Sequence, residues 1–237
     1  MDFDIIHIDE TGSTNRWLRE HADTERNQVV WTDYQSAGRG CGSNTWESER
    51  DKNLLFSMLI HPLGLKANAQ FSISMAISIA IVRALQPLLG DDTLSIKWPN
   101  DIYWRDRKLC GILIENRLSG AFVRDSIIGV GLNVNQAQFI SDAPNPVSLC
   151  QITGCEHDRE ALLHRVIERI GLDVDAEEYR SLLYRRHGFH AYRDADGDFE
   201  AELITVEDDG HLLLRDLNGQ QRRYAFKEVQ FTITNKQ

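Results

Sequence analysis

The stretch "KWPNDIYWRDRKLCGIL", Lys97 to Leu113, decides how the chain is read. It has the rhythm of two strands about a charged turn, "LSIKW" (94–98) on one side and "KLCGILIEN" (108–116) on the other. A plain turn has no use for a lysine, an indole, a proline, an amide and a carboxylate in a row. Pro99 biases Trp98 towards extended geometry and fixes the chain where the strand ends. Asn100 and Asp101 then stand where active-site residues commonly sit. Lys108 folds back towards them across the turn, and Gly111 leaves room beside its strand for a ligand. The alternative is a charged hairpin whose lysines are simply solvated.

Upstream, "FDIIHI" (3–8) reads as a buried strand, and "STNRWLREHA" (13–22) as a helix capped by Ser13 or Thr14. Trp17, Leu18 and His21 make the apolar face of that helix. "QVVWTDYQ" (28–35) and "LLFSMLI" (54–60) read as strands, and 68–89 as a buried helix. Serines, Arg83, Gln86 and Pro87 interrupt this last segment, whereas a membrane span needs roughly 18–20 cleaner apolar residues. Downstream, "AFVRDSIIGVGLNVNQ" (121–136) reads as a long or bent strand carrying Gly129 and Gly131. A proline-rich loop (141–148) and one or two amphipathic helices (158–188) follow. After Gly188 the pattern alternates with period two over 199–233, punctuated by "DDG" and "NG". The expectation is an α+β chain: a mixed β-sheet with helices over 1–188, and a small C-terminal β-barrel over 189–237.

The 237 residues suffice for a full core. Apolar residues make up 42% and charged residues 26%, ordinary for a globular protein. A net charge of -10 argues against binding to nucleic acid or to an anionic membrane surface, while leaving room for a local basic pocket. The N-terminus shows no basic segment followed by an apolar run, so a cytoplasmic location is expected. Cys41, Cys110, Cys150 and Cys155 form no C-x-x-C pair and are expected to be free thiols, Cys110 and Cys150 in the core.

Two further segments offer chemistry. In "AGRGCGSNTW" (37–46) glycines permit close backbone approach, and Arg39 suits a phosphate or carboxylate. The loop is neither a P-loop nor a dinucleotide fingerprint, and a flexible surface loop is an equally good local reading. "GSTN" (12–15) is either a helix cap or a cluster of hydroxyls and an amide suited to a polar neutral group.

Taken in order, Ser13-Thr14-Asn15, "GRGCGSNTW" (38–46), "KWPND" (97–101), "RKLCGIL" (107–113) and "GVGLNVN" (129–135) resemble the motifs of the biotin protein ligase family. The resemblance covers residues 1 to about 180, and the last residues match the family's SH3-like barrel in character and position. It implies the class II synthetase-like catalytic fold shared with lipoate ligases. The implied reaction activates biotin with ATP and Mg²⁺ as biotinyl-5′-AMP, then transfers biotin to a lysine on the biotin carboxyl carrier domain of a carboxylase. By family position Lys108 is the main electrostatic catalyst, with Arg39 helping to hold the acyl-phosphate. Ser13, Thr14, Asn15, Gln35, Gly38, Arg39, Lys108 and Gly111 would bind biotin. Arg39, Trp46, Asn100, Asp101, Lys108 and Asn133 would bind the nucleotide, with Asp101 also a candidate for Mg²⁺. Lys97 would be a structural or nucleotide-side cation.

The loop departs from the family pattern. Cys41 and Asn44 stand where arginines are common, and Ser43 where glycine is. The implied consequence is looser retention of the adenylate. No helix-turn-helix is legible, so a ligase without a DNA-binding role is expected. The family includes monomers and homodimers, and the sequence is compatible with either. The competing readings are a lipoate or octanoate ligase or transferase of the same fold, and a non-catalytic biotin or nucleotide sensor.

Overall fold

The computed structural model describes residues 1–233 apart from 24, 43, 91–92 and 141–144, so Ser43 and half of the proline-rich loop lie outside the described residues. β1 (Asp4–Thr11), α1 (Thr14–His21) and β2 (Gln28–Gln35) form a crossover unit whose two strands pair in parallel. β3 (Leu54–Ile60), α2 (Phe71–Leu85), β4 (Leu94–Lys97), β5 (Asp101–Trp104), β6 (Arg107–Ser119) and β7 (Phe122–Leu132) follow. The seven strands form one sheet in the order β1-β2-β3-β7-β6-β5-β4, antiparallel after the first pair.

The period-two rule assigns the two faces. Leu54, Phe56, Met58 and Ile60 of β3 join Ile128, Val130 and Leu132 of β7 in the main core with α2. On the opposite face Leu59 meets Leu18 of α1, Val30 and Ile127. Ser57 therefore points to the α1 face from the middle of a fully buried strand. The segment Ala67–Leu88 has the length and apolarity of a membrane span, but Ile73, Ile77 and Ile81 are fully buried in the main core.

Two expectations are corrected. β1 is the open edge of the sheet, with Ile5 exposed and Ile6 and Ile8 half-buried over α1; its isoleucines cover one face only. "DIYW" within the supposed polar turn is a strand, because Ile102 and Tyr103 are buried and pair with β6. The quoted stretch is thus part of a three-stranded meander. The opposite edge, β4, is covered: the Ile96 N–H donates to the Leu182 carbonyl and the Tyr184 N–H to the Ile96 carbonyl.

Along the chain the first sheet is followed by α3 (Leu149–Thr153), α4 (Arg159–Ile167) and α5 (Ala176–Ser181). α3, not foreseen, starts on a capping box of Ser148 and Gln151 and leaves Cys150 half-buried at its first turn. Asp158 and Asp175 cap the other two, and these break the 158–188 segment into separate helices. β8 (Phe189–Asp194), β9 (Gly197–Val206), β10 (Leu212–Asp216), β11 (Gln221–Tyr224) and β12 (Gln230–Phe231) form a second, antiparallel sheet in the order β11-β10-β9-β8-β12.

Trp98 ties this second sheet to the first. The side chain is buried, its Nε1–H donates to the Gly210 carbonyl at 2.9 Å, and its ring meets Phe226 edge-on at 6.1 Å. Gly210, at φ +93°, packs on Phe71 so closely that a Cβ would lie 2.7 Å from the ring. The Pro99 carbonyl, beyond a cis peptide bond, accepts from the Tyr179 hydroxyl at 2.7 Å.

Candidate active site

Parity in the sheet lines up the site. Gly129 and Gly131 lie two apart on β7, opposite Ser57 and Leu55 of β3 on one side and Leu113 and Gly111 of β6 on the other. All occupy the α1 face. Asn15 fills the space over Gly129, where a Cβ would lie 2.2 Å from Asn15 Oδ1. The Trp46 indole fills the trough beside it: a Cβ on Gly131 would meet Cε2 at 2.4 Å, and one on Gly111 would meet Cζ3 at 2.7 Å. The room expected at Gly111 therefore exists, and a side chain of the chain itself takes it. The buried Nε1–H of Trp46 has no hydrogen-bond partner among the described residues.

Lys108 reaches this face through a β-bulge. Ile102 pairs with Cys110 but Tyr103 pairs with Lys108, so Leu109 is the extra residue. In a regular strand Lys108 and Gly111, three apart, would face opposite ways. The bulge restores their common side, and Lys108 Nζ stands 3.3 Å from a Cβ built on Gly111. Its backbone is clamped from beyond as well: the Lys108 N–H donates to the Asn145 carbonyl and the Val147 N–H to the Lys108 carbonyl. Lys108 Nζ bonds Asp101 Oδ2 at 2.7 Å and lies 5.8 Å from the Trp46 ring centroid. Asp101 pairs in register with Lys97 across the turn, where Asn100 sits half-buried.

Lys97 shares the Asp101 side of the meander, but its ammonium reaches aromatic rings and not the glycines. Its Nζ lies 5.0 Å from the Phe231 ring centroid and 5.6 Å from that of Tyr103. Burial holds its ammonium below the ordinary lysine range, aided by Lys108 and Arg185 and opposed by Asp101. Of the two lysines in the opening stretch, Lys108 faces the glycine trough and Lys97 faces the second sheet.

The "GSTN" hydroxyls are not spent on the helix. Ser13 is the N-cap in extended geometry, yet its side chain makes no capping bond. Thr14 donates through its N–H and hydroxyl to Gln35 Oε1, at 2.8 and 3.1 Å. Ser57 Oγ lies 2.6 Å from both Thr14 Oγ1 and Asn15 Oδ1, and Asn15 Nδ2 donates to Glu115 Oε2 at 2.9 Å. Arg19 closes the network on Glu115 at 2.7 Å. Ser57 and Glu115 join this cluster and were missed by the sequence reading, whereas Gly129 and Gly131 stood in a quoted motif without a role assigned to them. The signal for Ser57 was a lone hydroxyl inside an otherwise apolar strand.

The glycine-rich loop folds on itself. Trp46 N–H donates to the Gly38 carbonyl, Arg39 bridges Thr45, and Gly40 N–H donates to the Asn44 carbonyl. Gly38 permits the crossing, since a Cβ there would lie 2.6 Å from the Trp46 carbonyl oxygen. Arg39 is exposed and has no carboxylate partner among the described residues. Asn133 is buried and donates Nδ2 to the Val147 carbonyl at 3.1 Å, which ties β7 to the segment behind Lys108.

A hydroxyl–amide cluster, a paired lysine and a cation-bearing loop on one sheet face suit a ligand with a polar neutral head and an anionic end. The sequence profile of the biotin/lipoate A/B protein ligase family matches residues 7–133, and the chain belongs to that family. Within it the chain is 31% identical over 246 residues to the bifunctional ligase/repressor BirA of Bacillus spizizenii, covering 93% of this chain and 72% of that one. It is 30% identical over 204 residues to the biotin–[acetyl-CoA-carboxylase] ligase of Mycobacterium tuberculosis, covering 84% and 70%. The fold matches the biotin protein ligase of Aquifex aeolicus, solved with biotin and ATP, at a TM-score of 0.79 and 23% identity over 97% of this chain and 99% of that one.

Proposed function

We propose that the chain is a biotin protein ligase. It joins biotin to ATP as biotinyl-5′-AMP and passes the biotinyl group to a lysine of a carboxylase's carrier domain. The observation that carries this reading is the placing of Lys108 on the same glycine-lined face as the hydrogen-bonded cluster of Thr14, Gln35 and Ser57. Support comes from the named ligases among its relatives.

In the first step a carboxylate oxygen attacks the α-phosphorus, and the bond to the bridging oxygen breaks to release pyrophosphate. Lys108, with Arg39 from the loop, offsets the mutual repulsion of the two anions. In the second step the carrier amine attacks the acyl carbon, AMP leaves, and the amine proton is lost. The hydroxyls of Ser13 and Thr14 and the Gln35 amide match a ureido ring, which is neutral and both donates and accepts. Asp101 offers a single carboxylate already paired with Lys108, which fits a Mg²⁺ ion held chiefly by phosphates; such an ion would neutralise phosphate charge. Trp46 leaves the trough or tilts over the substrate as the loop closes.

The deciding experiment is pyrophosphate release with each acid, followed by transfer to a purified carrier domain. Biotin-dependent release with transfer supports the ligase. Release driven by lipoate or octanoate selects the rival acyl ligase, and release with neither acid selects a sensor.

Two further outcomes are expected. Ser57→Ala removes the hydroxyl between Thr14 and Asn15, whose single proton makes one bond worth about 1 kcal/mol, and raises KM for biotin about fivefold with kcat little changed. Biotin titrations of the exchange rate check it, and an unchanged KM would place Ser57 outside the pocket's support. The missing loop arginines predict that free biotinyl-AMP escapes faster from the wild type than from Cys41→Arg. Chromatography of the reaction without carrier reads this directly, and equal escape would sink the idea.

A further inference from the structure

In an acidic chain most cations find carboxylates. Arg19, Arg83, Arg117 and Arg159 all do so here. Lys227, in the loop between β11 and β12, has no carboxylate partner among the described residues; the carboxylate of neighbouring Glu228 is engaged by the Ala225 N–H at 2.7 Å. Its Nζ lies against the tip of the glycine-rich loop, 3.1 Å from where a Cβ on Gly42 would stand. The contact joins the second sheet to the loop that carries Arg39 and Trp46.

The backbone at this point is unusual. Lys227 sits at φ +73°, in the left-handed region where glycine is the default. The lysine thus combines a backbone conformation that favours glycine with an ammonium that has no carboxylate among the described residues and lies 5.8 Å from the Phe226 ring centroid. Its base is anchored, because the preceding Phe226 packs edge-on against Trp98. Across from it the loop tip carries Cys41 and Asn44, neither of them cationic.

We propose that Lys227 is a polyphosphate contact, holding the β- and γ-phosphates of the nucleoside triphosphate at the loop tip and supplying from the second sheet a cation beyond Arg39, where Cys41 and Asn44 offer none. The inference rests on the ATP-dependent reading above. No bond to Lys227 changes during the reaction; its effect is on nucleotide binding and on the placing of the pyrophosphate leaving group.

The test uses the full chain. Lys227→Gly suits the backbone and preserves the fold, and Lys227→Arg keeps the charge. Lys227→Gly is expected to raise KM for ATP about tenfold, the loss of one charge-assisted bond. KM for biotin and the transfer rate from preformed biotinyl-AMP stay within twofold. Lys227→Arg recovers most of the ATP affinity, and so does Cys41→Arg added to Lys227→Gly. Calorimetry with a non-hydrolysable ATP analogue and with AMP separates phosphate contact from mere propping of the loop: the analogue weakens and AMP does not. An unchanged KM for ATP, or equal weakening of AMP, overturns the proposal. Should the wild type bind the analogue through Lys227 yet release no pyrophosphate with biotin, the reaction assignment fails and the phosphate contact stands.

Discussion

Lys108→Ala lowers biotin-dependent pyrophosphate exchange by about 10²-fold or more, the range found when one preorganised charge aimed at a reacting oxyanion is removed. The first step brings a carboxylate against a triphosphate, so the barrier is largely electrostatic. Lys108 is the cation on the glycine-lined face, held by Asp101 at 2.7 Å and by backbone bonds to Asn145 and Val147. The second step starts from a neutral amine and a formed anhydride. Transfer from added biotinyl-AMP should therefore fall much less than exchange. Circular dichroism of the variant guards against misfolding, since Asp101 loses its partner. Exchange that survives the substitution would move the catalytic charge to Arg39, because Lys97 is turned to the aromatic rings of Tyr103 and Phe231.

Trp98→Ala destabilises the protein by about 3–5 kcal/mol, as for other buried aromatic truncations. The substitution removes an almost fully buried indole, the hydrogen bond to the Gly210 carbonyl and the edge-on contact with Phe226. All three join the second sheet to the first. Urea unfolding followed by fluorescence of the remaining tryptophans and by far-ultraviolet dichroism measures the loss. A change below about 1 kcal/mol, the range of surface substitutions, would mean that other contacts dock the second sheet. Trp98→Phe, which keeps the ring contact and drops the donor, is expected to fall between.

The strands β2 and β3 were legible to the residue, because each is a short run with sharp polar boundaries. β1 misled, since "DIIHI" is apolar enough for a core strand while only alternate residues rest on α1. The site was legible as segments and not as a surface. Thr14, Gln35, Gly38, Trp46, Asp101, Lys108 and Gly111 do meet on one side of the sheet. What brings them there, the pairing of Gly111 with Gly131 and of Ser57 with Gly129, is a matter of register between strands far apart in the chain. Register leaves no local trace. The bulge at Leu109 is hidden for the same reason, since it is defined by its partner strand.

That bulge gives the sequence between Lys108 and Gly111 the property of a reading frame. Three positions in the chain count as two on the sheet. Inserting or deleting a single residue there would shift the phase of everything before it, turning Lys108 from the trough towards the side where Leu109 and Cys110 are wholly enclosed. An ammonium cannot be housed among such neighbours without giving up its proton or the strand. Point substitutions in this segment are graded by size and polarity, but a change of length is all or none.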